Sequence, residues 1–273
     1  MNIKNTIETA TKKLQSVTDR PRLEAEILLA HHLGCERVYL MTHDSDEVED
    51  IDAFWAFVGR RAKYEPIEYI TNRVSFYDSE FYIAVGALIP RPETELLIDE
   101  AAKIISSNRL THIAEIGIGS GVISIILARK FDNLQIEASD ISTDALKIAK
   151  QNITKFKLQD RIKLHHTSLL DSIDTDIEMI VSNPPYIAKG VKLEPNVVDY
   201  EPHTALFGKE RGDEILRDII TLSKKRGIKY LVCEMGYDQR EYISEFVKEI
   251  GVYSIRFYKD LSGLDRGFVI RMY

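Results

Sequence analysis

Chemistry in this chain is expected first at Asn183-Pro184-Pro185-Tyr186. The box follows Ile177-Glu178-Met179-Ile180-Val181-Ser182, a short and mostly apolar run that reads as a strand. Proline lacks an amide donor and fixes φ near −65°, so the strand's ladder stops at Pro184. Each proline also pushes the residue before it into an extended conformation, which pins the backbone of Asn183. The product is a stiff loop presenting one amide side chain, bare carbonyls and an aromatic ring. In open α/β sheets ligands bind at this carboxyl edge of the strands. Taken alone, the box has a bland alternative reading as a Pro-rich turn with a helpful asparagine.

A second group of residues lies upstream. Ile113-Ala114-Glu115-Ile116 reads as a buried strand, and Gly117-Ile118-Gly119-Ser120-Gly121 turns it into a helix from Val122 to Lys130. Such glycines permit a tight turn and let backbone N–H groups approach a ligand at a helix N-terminus. A dinucleotide fingerprint wants its third glycine three positions after the second, where Val122 stands. Glycines at every second position after an acidic strand end suit instead the nucleoside–amino acid shape of S-adenosylmethionine. The next strand, Gln135 to Ser139, ends at Asp140, whose carboxylate is suited to both ribose hydroxyls. Ser168 follows the third strand, in a loop expected along the adenine.

These residues need a frame. From residue 112 onward strand and helix patterns alternate, which implies a parallel sheet with helices on both faces. The last two strands, near 252–258 and 267–272, are joined by a short loop and so are antiparallel neighbours. The expected fold is α/β: a doubly wound, mostly parallel seven-stranded sheet, Rossmann-like, with an antiparallel last strand. Residues 1–72 read as a small helical bundle, with apolar stripes Ile3, Ile7, Ala10, Leu14 and Leu23, Ile27, Ala30, Leu33. Asp19 is the expected cap of the second helix, and the acidic run 44–52 the expected start of the third. Residues 73–90, with Val74, Phe76, Phe81, Ile83 and Val85 alternating, read as a β-hairpin linking that bundle to a domain over 91–273.

Composition narrows the partners. The 273 residues carry a net charge of −7 with no basic block, which argues against stable nucleic-acid binding. The two cysteines are far apart and in no metal or redox spacing, so no metal is expected. No apolar run has the length of a membrane span and the start lacks the apolar core of a signal peptide, so the expected setting is cytoplasmic.

The chain resembles the HemK/PrmC family, methyltransferases that modify a glutamine of peptide-chain release factors. The resemblance rests on Pro90-Arg91-Pro92-Glu93-Thr94-Glu95, the Glu115–Gly121 loop, Asp140, Asn183-Pro184-Pro185-Tyr186-Ile187, Tyr200-Glu201-Pro202 with Ala205-Leu206, and Asp260-Leu261-Ser262-Gly263 before Arg266. It implies that Glu115, Gly117, Ile118, Gly119, Ser120, Gly121, Asp140, Ser168 and Asn183 contact S-adenosyl-L-methionine. It also implies that Asn183, Pro184, Pro185 and Tyr186 hold a substrate glutamine, and that the helical bundle grips the release factor. The Asn183 oxygen and the Pro184 carbonyl would each accept one N–H of the glutamine amide, with Tyr186 packed on its face. The family usually has Asp where Glu115 stands and Thr where Ile118 stands. The Asn-Pro-Pro-Tyr box alone is shared with DNA adenine and ribosomal guanine methyltransferases, and a ribosomal-protein glutamine methyltransferase shares almost every motif. Those substrates stand as the alternative, and a monomer is expected.

Overall fold

A computed structural model describes residues 1–273 and divides them into two compact units. The first comprises Met1–Arg73 together with Leu193–Tyr200, and the second Val74–Lys192 with Glu201–Tyr273.

The smaller unit is helical: α1 (Ile3–Leu14), α2 (Pro21–Leu33), α3 (Arg37–Thr42), α4 (Ile51–Arg61) and α5 (Ile67–Thr71). Asn2 caps α1 by accepting from the amide of Asn5 at 2.9 Å. Helix α2 starts with Pro21 at its first position, but Asp19 does not cap it; the Thr18 hydroxyl accepts the Arg20 amide instead. Its buried face is Ala25, Leu28, Leu29 and Ala30, rotated from the expected stripe, because apolar side chains occupy most of its circumference. Of the acidic run only Asp52 falls in the first turn of α4. Ile3, Leu14, Leu28, Leu29 and Phe54 are fully buried in this unit's core, each contributing about 1.5–3 kcal/mol through burial.

The larger unit begins with the hairpin β1 (Arg73–Phe76) and β2 (Ser79–Tyr82), followed by α6 (Thr94–Asn108). Nearly all of the hairpin belongs to this unit. Val85, expected to continue its alternation, lies beyond β2 and is exposed. Next come β3 (His112–Ile116), α7 (Val122–Lys130), β4 (Gln135–Asp140), α8 (Thr143–Lys155), β5 (Ile162–His166) and β6 (Met179–Ser182). Two single-turn helices follow, α9 (Pro195–Val198), which belongs to the smaller unit, and α10 (His203–Leu206). The chain then runs α11 (Glu214–Lys225), β7 (Tyr230–Glu234), α12 (Arg240–Ile250), β8 (Ser254–Lys259) and β9 (Asp265–Arg271).

The seven-stranded sheet has the order β5-β4-β3-β6-β7-β9-β8. The strands from β5 through β7 are parallel, while β9 pairs antiparallel with both β7 and β8. Parallel strands covered on both faces should be apolar throughout, and Ile113, Ala114, Ile180, Val181, Leu231 and Val232 are all fully buried. Glu115, Glu137 and Glu234 break that rule, carboxyl-bearing residues in buried strand positions. The chain runs outward from β3 through β4 to β5, then returns to place β6 on the other side of β3. The carboxyl ends of β3 and β6 therefore flank a switch point, where an open sheet leaves a crevice. No helix is long and apolar enough to cross a membrane.

Candidate active site

A cavity of about 340 Å³ opens at that switch point. Its walls include Glu115, Gly117, Ile118, Gly119 and Ser120 from the end of β3, Asp140 from β4, Ser168 after β5, and Asn183, Pro184 and Pro185 after β6. Of the residues expected to contact cofactor or substrate, Gly121 and Tyr186 are not among its walls.

The glycine loop is shaped by its backbone. Gly117, Gly119 and Gly121 all have positive φ, the region where a Cβ is penalised. A Cβ at Gly117 or Gly119 would meet nothing within 4 Å, so their small size leaves open space beside the loop. Gly121 instead packs close to Ala149 of α8 and opens α7 as its N-cap residue. The amides of Gly117 and Ile118 donate to the Ser139 carbonyl at 2.9 and 3.0 Å, tying the loop to β4. Asp140 closes it: one carboxylate oxygen accepts from the Gly119 amide at 3.0 Å, the other from the Ser142 amide at 2.8 Å. Burial raises the pKa of Asp140, and these backbone donors act against that rise.

Glu115 is fully buried and half satisfied. Its Oε2 accepts from the Ser124 amide at 3.0 Å and also from the Ser124 hydroxyl, while Oε1 has no partner. Burial pushes its pKa up to about 8, helped by the charge of Asp140 and opposed by the Ser124 donors. A buried orphan acceptor is costly unless something else supplies the donor.

On the other side of the cavity stands a relay. Asn183 Nδ2 donates to Thr94 Oγ1 at 3.1 Å, the Thr94 hydroxyl donates to Glu234 Oε2 at 2.8 Å, and the Tyr186 hydroxyl donates to Glu234 Oε1 at 3.1 Å. The phenol of Tyr186 is pushed up by burial and by the Glu234 carboxylate. The hydroxyl of Tyr186 braces Glu234. The backbone of the box is fastened as well, since Gln239 Nε2 donates to the Tyr186 carbonyl at 2.9 Å and the Ile187 amide to the Leu206 carbonyl at 3.0 Å. Glu201, nearly buried, holds the stretch before α6 by accepting from the Ile89 amide at 3.1 Å and from Arg91. No group of three or more His, Cys, Asp or Glu side chains is placed to hold a metal ion.

Known proteins match this chain along nearly its whole length. The PrmC N-terminal domain family matches residues 5–71 and the methyltransferase small domain family residues 93–200. A release factor glutamine methyltransferase of Koribacter versatilis is 34% identical over 281 residues, covering 99% of this chain and 99% of its own. One from Clostridium acetobutylicum is 33% identical over 276 residues, covering 97% of each. The chain belongs to the release factor glutamine methyltransferase family. Its fold is also that of the N-terminal domain of human METTL16 solved in complex with SAH, with a TM-score of 0.53 and 13% identity over 100% of this chain and 95% of that one.

Three further residues bond to the candidate site and were not singled out in the sequence for a role of their own. Thr94 entered there only as a member of the proline–glutamate box. Glu234 stands at the end of β7. Asn152 of α8 is fully buried; its side chain bonds both the amide and carbonyl of Tyr82 and, at 2.8 Å, the Ser120 carbonyl, so it fastens the glycine loop to the hairpin. A polar residue on the inner face of an amphipathic helix was the available signal for Asn152.

Proposed function

We propose that this chain transfers a methyl group from S-adenosyl-L-methionine to the side-chain amide nitrogen (N5) of the glutamine in the Gly-Gly-Gln motif of peptide chain release factors. It acts in the cytoplasm, as a monomer. The observation that carries this reading is the pinned Asn183 amide facing a glycine-lined cavity at the switch point, in a chain whose full-length relatives bear that activity in their names.

The residues present fit the cofactor. Gly117 and Gly119 leave room for it, Asp140 is suited to ribose hydroxyls, and Glu115 offers an unpaired buried acceptor to a cationic group. Ser168 lines the same cavity, on the loop suited to the base. When bound, S-adenosylmethionine supplies an electrophilic methyl group on a sulfonium.

The chain's own task is to aim a poor nucleophile. An amide lone pair is delocalised into its carbonyl. Asn183 Nδ2 is engaged by Thr94, so Oδ1 is left to accept one N–H of the glutamine, and the Pro184 carbonyl accepts the other. Two fixed acceptors orient the nitrogen and stabilise the positive charge that grows there. The proton of the methylated nitrogen is acidic enough to leave to water. Both oxygens of Glu234 already accept hydrogen bonds from Thr94 and Tyr186, so no role as base is assigned to it.

Purified chain with labelled S-adenosylmethionine is expected to label release factors, and not ribosomal proteins or DNA offered in the same assay. Label on DNA, or on a ribosomal protein in preference, removes this reading. A second expectation concerns Glu115. With a pKa of about 8 it is mostly protonated near neutrality in the free chain. A cationic ligand group beside Oε1 favours the charged form, so binding drives the proton off. Cofactor affinity therefore rises with pH up to about 8 and then levels. Calorimetric titration near pH 7 in phosphate and in Tris should give different apparent enthalpies. Equal enthalpies in the two buffers would mean that Glu115 does not change its charge.

A further inference from the structure

We infer that Glu234 is a positioning residue: through the Thr94 hydroxyl it decides which end of the Asn183 amide faces the cavity. This rests on the proposed methyl transfer for its catalytic consequence and on the hydrogen bonds alone for its structural one.

The argument is one of donor counting. A threonine hydroxyl has one proton. Thr94 spends it on Glu234 Oε2, and only a lone pair remains toward Asn183. That lone pair selects Nδ2 as its partner, at 3.1 Å. The amide is thereby held with Oδ1 directed away from Thr94. Were the Thr94 proton turned toward Asn183, it would select Oδ1 and leave the NH2 group for the substrate. Two NH2 groups would then face each other and the orienting bond would be lost. Donor and acceptor ends of an amide look alike in shape, so packing does not make this choice; the polarity of the relay does.

Glu234 is placed to impose that polarity. It ends β7 next to the strand carrying the box, with Ser182 of β6 paired to Cys233, and is 2% exposed. Both its oxygens are occupied by donors, Thr94 and Tyr186, which makes the carboxylate a fixed acceptor. The groups facing it are Arg266 of β9, Glu93 at the start of α6, Tyr186 of the box and Tyr258 of β8, whose hydroxyl donates to the Cys233 carbonyl at 3.1 Å. Burial raises the pKa of Glu234 to about 7; Thr94, Tyr186 and Arg266 hold it down and Glu93 pushes it up. Once protonated, Glu234 can itself donate to Thr94, and the relay reverses.

The test begins with the unaltered chain labelled with 15N-asparagine, the Asn183 side-chain signal being assigned by its loss in Asn183→Asp. That signal is expected to shift as pH is lowered through about 7. In Thr94→Val, which keeps the shape but not the hydroxyl, the shift with pH should vanish. In the same variant kcat at saturating release factor should fall about 100-fold, the scale for a displaced reacting group. Thr94→Ser keeps the hydroxyl and should recover most of the rate. An Asn183 signal indifferent to pH overturns the inference, as does Thr94→Val turning over within a few-fold of the parent, or Ser and Val variants losing equally. Should Thr94→Val fail to fold, the pH titration of the parent and the rate of Thr94→Ser decide. A parent that leaves release factors unmethylated defeats the proposed function, while the NMR titration still decides the relay.

Discussion

Asn183→Ala is expected to lower kcat on release factor by about 10²–10³-fold, the usual loss when one preorganised group at a developing charge is removed. The reasoning is in what remains. Alanine keeps Pro184 and Pro185, so the backbone of the box stays extended and the Pro184 carbonyl stays in place. Only one of the two proposed acceptors is lost, and it is the one whose direction is set by Thr94 at 3.1 Å. The substrate amide then keeps one anchor and is free to rotate about it. The glycine loop and Asp140, on the other side of the cavity, are untouched, so affinity for S-adenosylmethionine should change much less than kcat. The deletion also leaves the Thr94 lone pair without a donor, which costs stability on the scale of one buried hydrogen bond, about 1–3 kcal/mol. Initial rates at saturating release factor and cofactor, beside calorimetric titration of the cofactor, separate these effects. Turnover within a few-fold of the parent would show that Asn183 only shapes the loop.

Much of the frame behind that site is legible in the residues, for physical reasons that can be named. Helix α7 begins at Val122 because Gly121 takes a left-handed φ of 88°, and α8 begins at Thr143 because Ser142 accepts the Ala145 amide at 3.2 Å. Both signals are local, and α7 spans the Val122–Lys130 stretch that the sequence puts in a helix. Strands β3 and β6 are short, mostly apolar runs closed by Gly117 and by the Asn183-Pro184 step, and β4 alternates around Ile136 and Ala138 before Asp140, which is again local information. Helix α2 shows where locality ends. Nearly every turn of it offers apolar residues in several directions, so only the helices packed around it, α1 above all with α3, α4 and α5, decide that Leu28 and Leu29 face inward. The single turns α9 and α10 are too short to carry a period. Residues 193–200 are continuous with the loop after the box, yet they fold with the N-terminal helices. Glu234 is the sharpest case. Its partner Thr94 lies 140 positions earlier, and nothing in either neighbourhood announces the pairing. It takes the strand order, with β7 beside β6, to bring a buried carboxylate within one hydroxyl of Asn183.

Gly212→Ala should be nearly as damaging as Asn183→Ala, although residue 212 bears no functional group. A Cβ built there would overlap the carbonyl oxygen of Tyr186 and lie 2.9 Å from the amide nitrogen of Ala188. Both are backbone atoms of the segment that continues the box, so no side chain can swing aside to relieve the overlap. The segment is held from both sides: the Gly208 amide donates to the Ile187 carbonyl at 2.9 Å, the Lys189 amide to the Lys209 carbonyl at 3.0 Å, and Gln239 to the Tyr186 carbonyl. Relief requires either that Tyr186 shift, which drags Pro185 and Pro184 with it, or that residues 208–212 lift away and release Ile187. Either path moves the Pro184 carbonyl, and a displacement of about 1 Å at such a site is worth about 10² in rate. The backbone adds its own cost, since Gly212 has φ of 87° and alanine there is strained by about 1–3 kcal/mol. Gly190 separates the two contributions. It has nearly the same φ, 88°, but a Cβ there meets nothing within 4 Å. Gly190→Ala should therefore lower the melting temperature through backbone strain alone and leave kcat near that of the parent. Gly212→Ala should melt lower still and lose most of its turnover. If the two variants melt together and turn over alike, the close approach of Gly212 to the box does not hold the Pro184 carbonyl in place.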